Sequence, residues 1–155
     1  MRIYRLTASR YVDTAFSGEG TRRVGGRWTP VGYCAVHAAG SIALAVLETL
    51  VHVDASVMPA HRVIAVDVPE DVPVTTVPVA DLPVNWRYTP PPSVLRDLGK
   101  AWLDAGDTAL MQVPSVIVPE EPNYLVNPLH ADFSRLVIHP PAPFEIDRRL
   151  FAPSS

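Results

Sequence analysis

Between Ser41 and His52 the chain reads Ile-Ala-Leu-Ala-Val-Leu-Glu-Thr-Leu-Val, in which only Glu48 and Thr49 are polar. An apolar run without a polar stripe marks a buried helix, not a surface one. Ser41 is a favoured N-cap, so the helix is predicted over Ile42 to about Val53. Glu48 is the difficulty. An ionised carboxylate in such a helix is costly unless it is paired or faces a polar cleft. Two readings stay open: a carboxylate at the helix edge bonded to an arginine, or a functional group in a cleft.

The rest of the pattern is mixed. Ile3, Tyr4 and Leu6 among Arg2 and Arg5 suggest a short first strand. Strands are also predicted over Tyr33–Val36, Arg62–Val68, Met111–Val118 and Arg135–His139, with a last short one around Phe144–Ile146 and Arg149–Phe151. Ser93 is expected to cap a second helix carrying Leu95, Leu98, Trp102 and Leu103 on one face and ending at Gly106. Residues 69–92 are proline-rich and predicted to run extended. Proline totals 17 of 155 residues and sits between apolar runs, as in Val72-Pro73-Val74, which reads as stiff turns and edge segments. This is not a regular βα alternation, so the expected class is α+β, a single domain spanning 1–155.

Composition removes several function classes. A net charge of −3 lacks the basic balance of a polyanion binder, which argues against nucleic acid as a direct partner. The single cysteine, Cys34, cannot close an internal disulfide and fits a reducing compartment. No run approaches a membrane span and no signal-peptide core is visible, so a cytoplasmic protein without membrane attachment is expected. His37, His52, His61, His130 and His139 show no zinc spacing, and no metal site is expected. Ser115 lacks the nucleophile elbow of serine hydrolases. The glycine-rich stretch Ser17–Trp28 is neither a phosphate-binding Walker loop nor a dinucleotide fingerprint. Within it, Arg27 follows Gly25 and Gly26. A guanidinium beside flexible backbone suits capture of phosphate or carboxylate, although a solvated loop arginine reads the same way. Arg22 and Arg23 could form an electrostatic rim or simple surface. Asn123 and Asn127 read as turn-formers.

Three blocks together resemble the RES domain, a family named for its Arg, Glu and Ser. They are Gly25-Gly26-Arg27-Trp28-Thr29-Pro30-x-Gly32 with Gly18-x-Gly20 before it, Ser41-Ile-Ala-Leu-Ala-Val-Leu-Glu48 with Val51-His52, and Pro114-Ser115-Val116-x-x-Pro119-x-Glu121-x-Asn123-Tyr124-Leu125-x-Asn127-Pro128. The resemblance covers the chain from Tyr4-Arg5 to about Pro140. It implies an ADP-ribosyltransferase-like fold, a split β core with flanking helices and a cleft for NAD⁺. It also implies a toxin silenced by an Xre-like antitoxin that covers the cleft. Arg27, Glu48 and Ser115 are the namesake residues. Arg5, Gly26, Trp28, Tyr33, His37 and Asn123 are expected to line the NAD⁺ site, with Arg27 clamping the pyrophosphate. The family commonly has a tyrosine in the strand before the helix; here His37 stands there, with Tyr33 four residues earlier. That departure raises the prospect of a transferase branch.

The implied chemistry is loss of nicotinamide from NAD⁺, which is substrate and not cofactor, with water or phosphate as acceptor. The alternatives are ADP-ribosyl transfer to a protein, a non-catalytic interaction module, and a toxin acting on RNA. The acidic balance argues against the last. A carboxylate beside a developing oxocarbenium ion stabilises the transition state more than the ground state. Glu48 is expected in that role, with Ser115 positioning it or the ribose.

Overall fold

The computed structural model describes residues 1–151 of the chain. Its strands are β1 (Arg2–Ala8), β2 (Val36–Ala39), β3 (His61–Asp67), β4 (Val74–Thr76), β5 (Leu110–Pro114), β6 (Pro122–Val126), β7 (Val137–Ile138) and β8 (Ala142–Phe144). Its helices are α1 (Glu19–Val24), α2 (Ile42–Leu50) and α3 (Ser93–Ala105). The strands form one sheet in the order β4-β5-β6-β2-β1-β3-β7, with β8 also on β3. β4 pairs parallel with β5, and the other pairs are antiparallel. The fold is α+β, as expected.

The split in the core lies between β1 and β2. They pair only at Tyr4–Ala39, whereas β1 and β3 pair along seven residues from Arg2–Asp67 to Ala8–His61. Beyond that single pair the two strands diverge, and Arg5 reaches across the gap to the carbonyl of His37.

Alternation along the strands sends side chains to two faces. On one face Ile3, Val36, Val66, Leu110, Tyr124 and Val126 form the main core. On the other, Met111, Val113 and Leu125 pack under α3 through Leu95 and Trp102, while Ala39 packs under α2 through Leu44 and Ala45. Each face thus buries a layer of its own.

α3 lies very close to the glycine-rich loop. A methyl group on Gly99 would fall 1.6 Å from the Trp28 carbonyl oxygen, so only glycine fits there. Gly106 ends the helix in the left-handed region, at φ 64°, as its position predicted.

Several expectations need correction. The helix α2 is capped by Ser41, whose hydroxyl accepts from the Leu44 amide 3.1 Å away, but it ends at Leu50 and is not buried all round. Leu44, Ala45 and Val46 are inside, whereas Ala43 and Leu47 are exposed, because the sheet covers one face only. Ser93 does not cap α3: the N-cap is Pro92, and no side chain bonds there. The strand expected over Tyr33–Val36 begins at Val36, after the turn at Gly32. The strand expected over Met111–Val118 stops at Pro114 because Ser115 turns the chain back, its amide donating to the Glu121 carbonyl. The returning residues form β6, so Asn123 lies in a strand and not in a turn. Residues 69–92 are not wholly irregular, since they include β4. The stretch at Arg149–Phe151 is a short 3₁₀ turn over Arg148–Leu150, not strand.

Candidate active site

A cleft of about 950 Å³ opens over the split in the sheet. That is at the upper end of the roughly 300–1,000 Å³ common for small-molecule sites. Arg5, Gly26, Arg27, His37, Glu48 and Asn123 all line it.

Glu48 projects from α2, and one of its oxygens takes two donors. The Ser115 hydroxyl donates to Oε1 at 2.7 Å and the Asn123 side-chain amide donates to the same atom at 2.6 Å. Ser115 is itself fully buried and accepts from the amides of Ile117 and Val118, each at 3.1 Å. With both backbone protons spoken for, its own proton points to Glu48. The serine is therefore a rigid donor that fixes the carboxylate. Asn123 works beside it from β6. It is not a turn residue, and its contact to Glu48 makes it a partner of the carboxylate. Charge-assisted bonds of this length are the strong ones. Of the two readings of Glu48, the structure supports the cleft: the bonds to the carboxylate come from neutral side chains, not from an arginine.

Arg27 enters from the opposite wall. Its Nη1 donates to the carbonyls of Trp86 and Tyr88, both at 2.9 Å, and its Nη2 lies 3.5 Å from the Thr89 hydroxyl. Partial burial lowers its pKa, while the charge of Glu48 across the cleft acts the other way. Arg5 is less committed. Its Nη1 bonds the His37 carbonyl at 2.8 Å, and its buried Nε has no partner among the described residues. Burial lowers its pKa to about 10, so it stays cationic at neutral pH. Gly26 donates its amide to the Thr29 carbonyl, and its own carbonyl accepts from Arg96.

The imidazole of His37 is exposed and lines the cleft. Partial desolvation in the cleft, then Arg5, then His52, lowers its pKa. It is neutral at physiological pH.

Of the expected site residues, Tyr33 is placed elsewhere and Trp28 lines the cleft from the core. Tyr33 does not face the cleft: its hydroxyl bonds Asp104 of α3 at 2.9 Å, and Lys100 sits over its ring. Trp28 contributes to the cleft wall, but its side chain is core. It is 4% exposed and packs on Trp86 at 6.5 Å between ring centroids, so it anchors the loop carrying Arg27. Arg22 pairs with Glu19 at 2.8 Å, while Arg23 stays exposed 3.9 Å from the same carboxylate, so the rim is partly neutralised.

Sequence reasoning missed the segment Trp86–Thr89, which meets Arg27 mainly through backbone oxygens that no residue type advertises. It also missed Arg96, which sits in the apolar pattern of α3 without a distinguishing neighbour. Among the described residues, no helix is long and apolar enough to cross a membrane.

Comparison with known proteins identifies the family and the fold. The sequence model of the RES domain matches residues 2–147. The chain is 36% identical over 152 residues to Toxin Res of Yersinia enterocolitica, covering 97% of this chain and 99% of that protein. It is 43% identical over 129 residues to the Prs ADP-ribosylating toxin of a Sphingobium species, covering 81% and 80% respectively. In three dimensions it superposes on a chain of the M. tuberculosis MbcT-MbcA toxin-antitoxin complex with a TM-score of 0.76 at 21% identity, covering 96% of this chain and 85% of that one. The match along nearly the whole length, with Arg27, Glu48 and Ser115 all at the cleft or directly behind it, makes this chain a member of the RES domain family.

Proposed function

We propose that this protein is a toxin that cleaves the nicotinamide–ribose bond of NAD⁺. The observation that carries the reading is the carboxylate of Glu48, held through one oxygen by Ser115 and Asn123 at the wall of a cleft with arginines around it. Loss of nicotinamide builds positive charge on the ribose. A carboxylate fixed beforehand stabilises that charge without reorganising during the reaction. Nicotinamide leaves as a neutral base, so no general acid is required. Arg5, with most of its donors uncommitted, is suited to an anionic group of the dinucleotide. Arg27 faces the same cleft and shapes it by holding the Trp86–Thr89 segment.

A second reading, ADP-ribosyl transfer to a protein, is favoured by the 43% identical relative named for that activity. Water and phosphate remain the acceptors of the first reading. The structural likeness to a toxin-antitoxin complex supports a cognate antitoxin as partner; that it is Xre-like and covers the cleft rests on the family resemblance alone. The site of action is the cytoplasm.

The test is induction of the chain alone in cells beside an identical Glu48→Gln induction, with NAD⁺ measured over time. A fall of NAD⁺ with the wild type only is expected. Growth arrest at constant NAD⁺ selects the transferase reading, and loss of NAD⁺ with Glu48→Gln refutes the role of the carboxylate.

A further inference from the structure

The cleft contains one further group suited to proton transfer, the imidazole of His37. It stands on β2, paired with Leu125 of β6, while Ala39 pairs with Asn123. Paired residues share a face of the sheet, so His37 and Asn123 project to the same side as diagonal neighbours, about 7–8 Å apart at the backbone. Asn123 holds Glu48. On its other side the ring lies against the glycine-rich loop: a methyl group on Gly26 would sit 3.6 Å from Nε2 and 3.8 Å from Cε1. His37 thus lies between the carboxylate and the loop that carries Arg27. Its backbone carbonyl is taken by Arg5, and among the described residues neither ring nitrogen has a hydrogen-bond partner.

Arg5 from β1 and His52 after α2 disfavour the imidazolium, as does partial desolvation in the cleft. Arg27, Arg96 and Glu48 are the remaining charged groups on the lining. The ring therefore offers a free lone pair at neutral pH. Glu48 is differently engaged, with Oε1 occupied by two donors.

We infer that His37 accepts the proton of the incoming nucleophile at the ribose anomeric carbon. The inference rests on the NAD⁺ reading above. In the step, the bond from the anomeric carbon to the pyridine nitrogen breaks and its electron pair leaves with nicotinamide. The oxygen of water or of an acceptor hydroxyl bonds to that carbon, and its proton passes to the unprotonated nitrogen of His37 and then to solvent. A weak base is sufficient. Once the new C–O bond forms, the proton on that oxygen is far more acidic than an imidazolium.

The test measures nicotinamide release by the purified full chain with NAD⁺, in buffer and with added cell lysate as a source of protein acceptors. His37→Gln is expected to lower kcat about 100-fold with KM changed less than about threefold. The wild-type rate should fall at acid pH in step with the His37 ring signals in NMR, and His37→Gln should lose that limb. Imidazole added to His37→Ala should restore part of the rate, which a packing role would not allow. A kcat within about threefold of wild type in His37→Gln overturns the inference. So does a loss of rate with no imidazole rescue and an unchanged acid limb. An active wild type with unaffected His37 variants overturns this inference alone; a wild type that releases no nicotinamide in either mixture overturns the NAD⁺ reading with it.

Discussion

Replacing Ser115 by alanine removes a single oxygen and breaks three bonds. That hydroxyl donates to Glu48 at 2.7 Å and accepts from the amides of Ile117 and Val118 at 3.1 Å. Ser115 is fully buried, and alanine keeps its carbon skeleton, leaving only a gap of one oxygen. A bond to an ionised group contributes about 1.5–3 kcal/mol, and an orphaned amide costs about 1–3 kcal/mol. Ile117 and Val118 are half-buried, and water can reach part of the gap, so the lower ends apply. The expected loss is about 3–4 kcal/mol, severe against a total stability of about 5–15 kcal/mol but compatible with folding. In urea unfolding with a slope near 2 kcal/mol/M, the midpoint should fall by about 1.5–2 M. Asn123→Ala breaks one bond to the same carboxylate oxygen and should cost less. The double variant should deviate from additivity by about 0.5 kcal/mol or more because both donors meet at Oε1. A Ser115→Ala midpoint within about 0.3 M of wild type would falsify this account of a load shared by three bonds.

Gly99→Ala must displace either α3 or the Trp28 carbonyl, and should lower stability by about 3 kcal/mol or more while changing tryptophan fluorescence; an unchanged melting temperature refutes the close approach. Arg27→Lys gives up the geometry that spans Trp86 and Tyr88, so amide exchange over residues 85–89 should accelerate, and identical protection in the two proteins sinks the latch. Asp67 is held well below the ordinary carboxylate range, first by its bond to Arg2 and then by that to His139. A depressed folded-state pKa stabilises above the unfolded value and is lost as pH falls through the folded one. Asp67→Asn should therefore lower the melting temperature by a constant amount above about pH 5 and by progressively less under about pH 4. A difference that grows on acidification refutes the sign.

Legibility from sequence followed the range of the forces involved. Local signals read well: Ser41 as a cap, Gly106 as a stop and the apolar face of α3 depend on neighbours within a turn. The exposed side of α2 did not, because Ala43 and Leu47 are apolar wherever the sheet happens to lie. β6 was missed for a related reason. Pro122-Asn123-Tyr124-Leu125-Val126 opens with turn-forming residues, yet the partners β2 and β5 take up its backbone and override that preference. At the site, Glu48 was visible because a carboxylate in an apolar run conflicts with its surroundings. Its partners were not visible by physics, since Ser115 and Asn123 stand 67 and 75 residues away in sequence. Resemblance supplied Ser115 as a positioning residue and Asn123 as lining the site; the bond from Asn123 to Glu48 came from the structure.

Arg27 marks the limit of reading a residue by type. A guanidinium among glycines is suited to an anion, but the same fork fits a pair of carbonyls, and the structure turns it to Trp86 and Tyr88. Meanwhile Arg5, lying in an ordinary strand pattern, keeps a buried nitrogen without a partner. Desolvating a cation with so few bonds is costly, and an anionic ligand is what would offset it. On that argument the two arginines divide the work, Arg27 holding a wall of the cleft and Arg5 holding its charge toward the substrate. Separate Arg5→Ala and Arg27→Ala variants should therefore differ in kind. Arg5→Ala should weaken NAD⁺ binding and flatten its dependence on salt. Arg27→Ala should loosen residues 85–89 first and bind NAD⁺ less well only as a consequence. Equal salt dependence in the two variants would assign both guanidinium groups to the ligand and end the division.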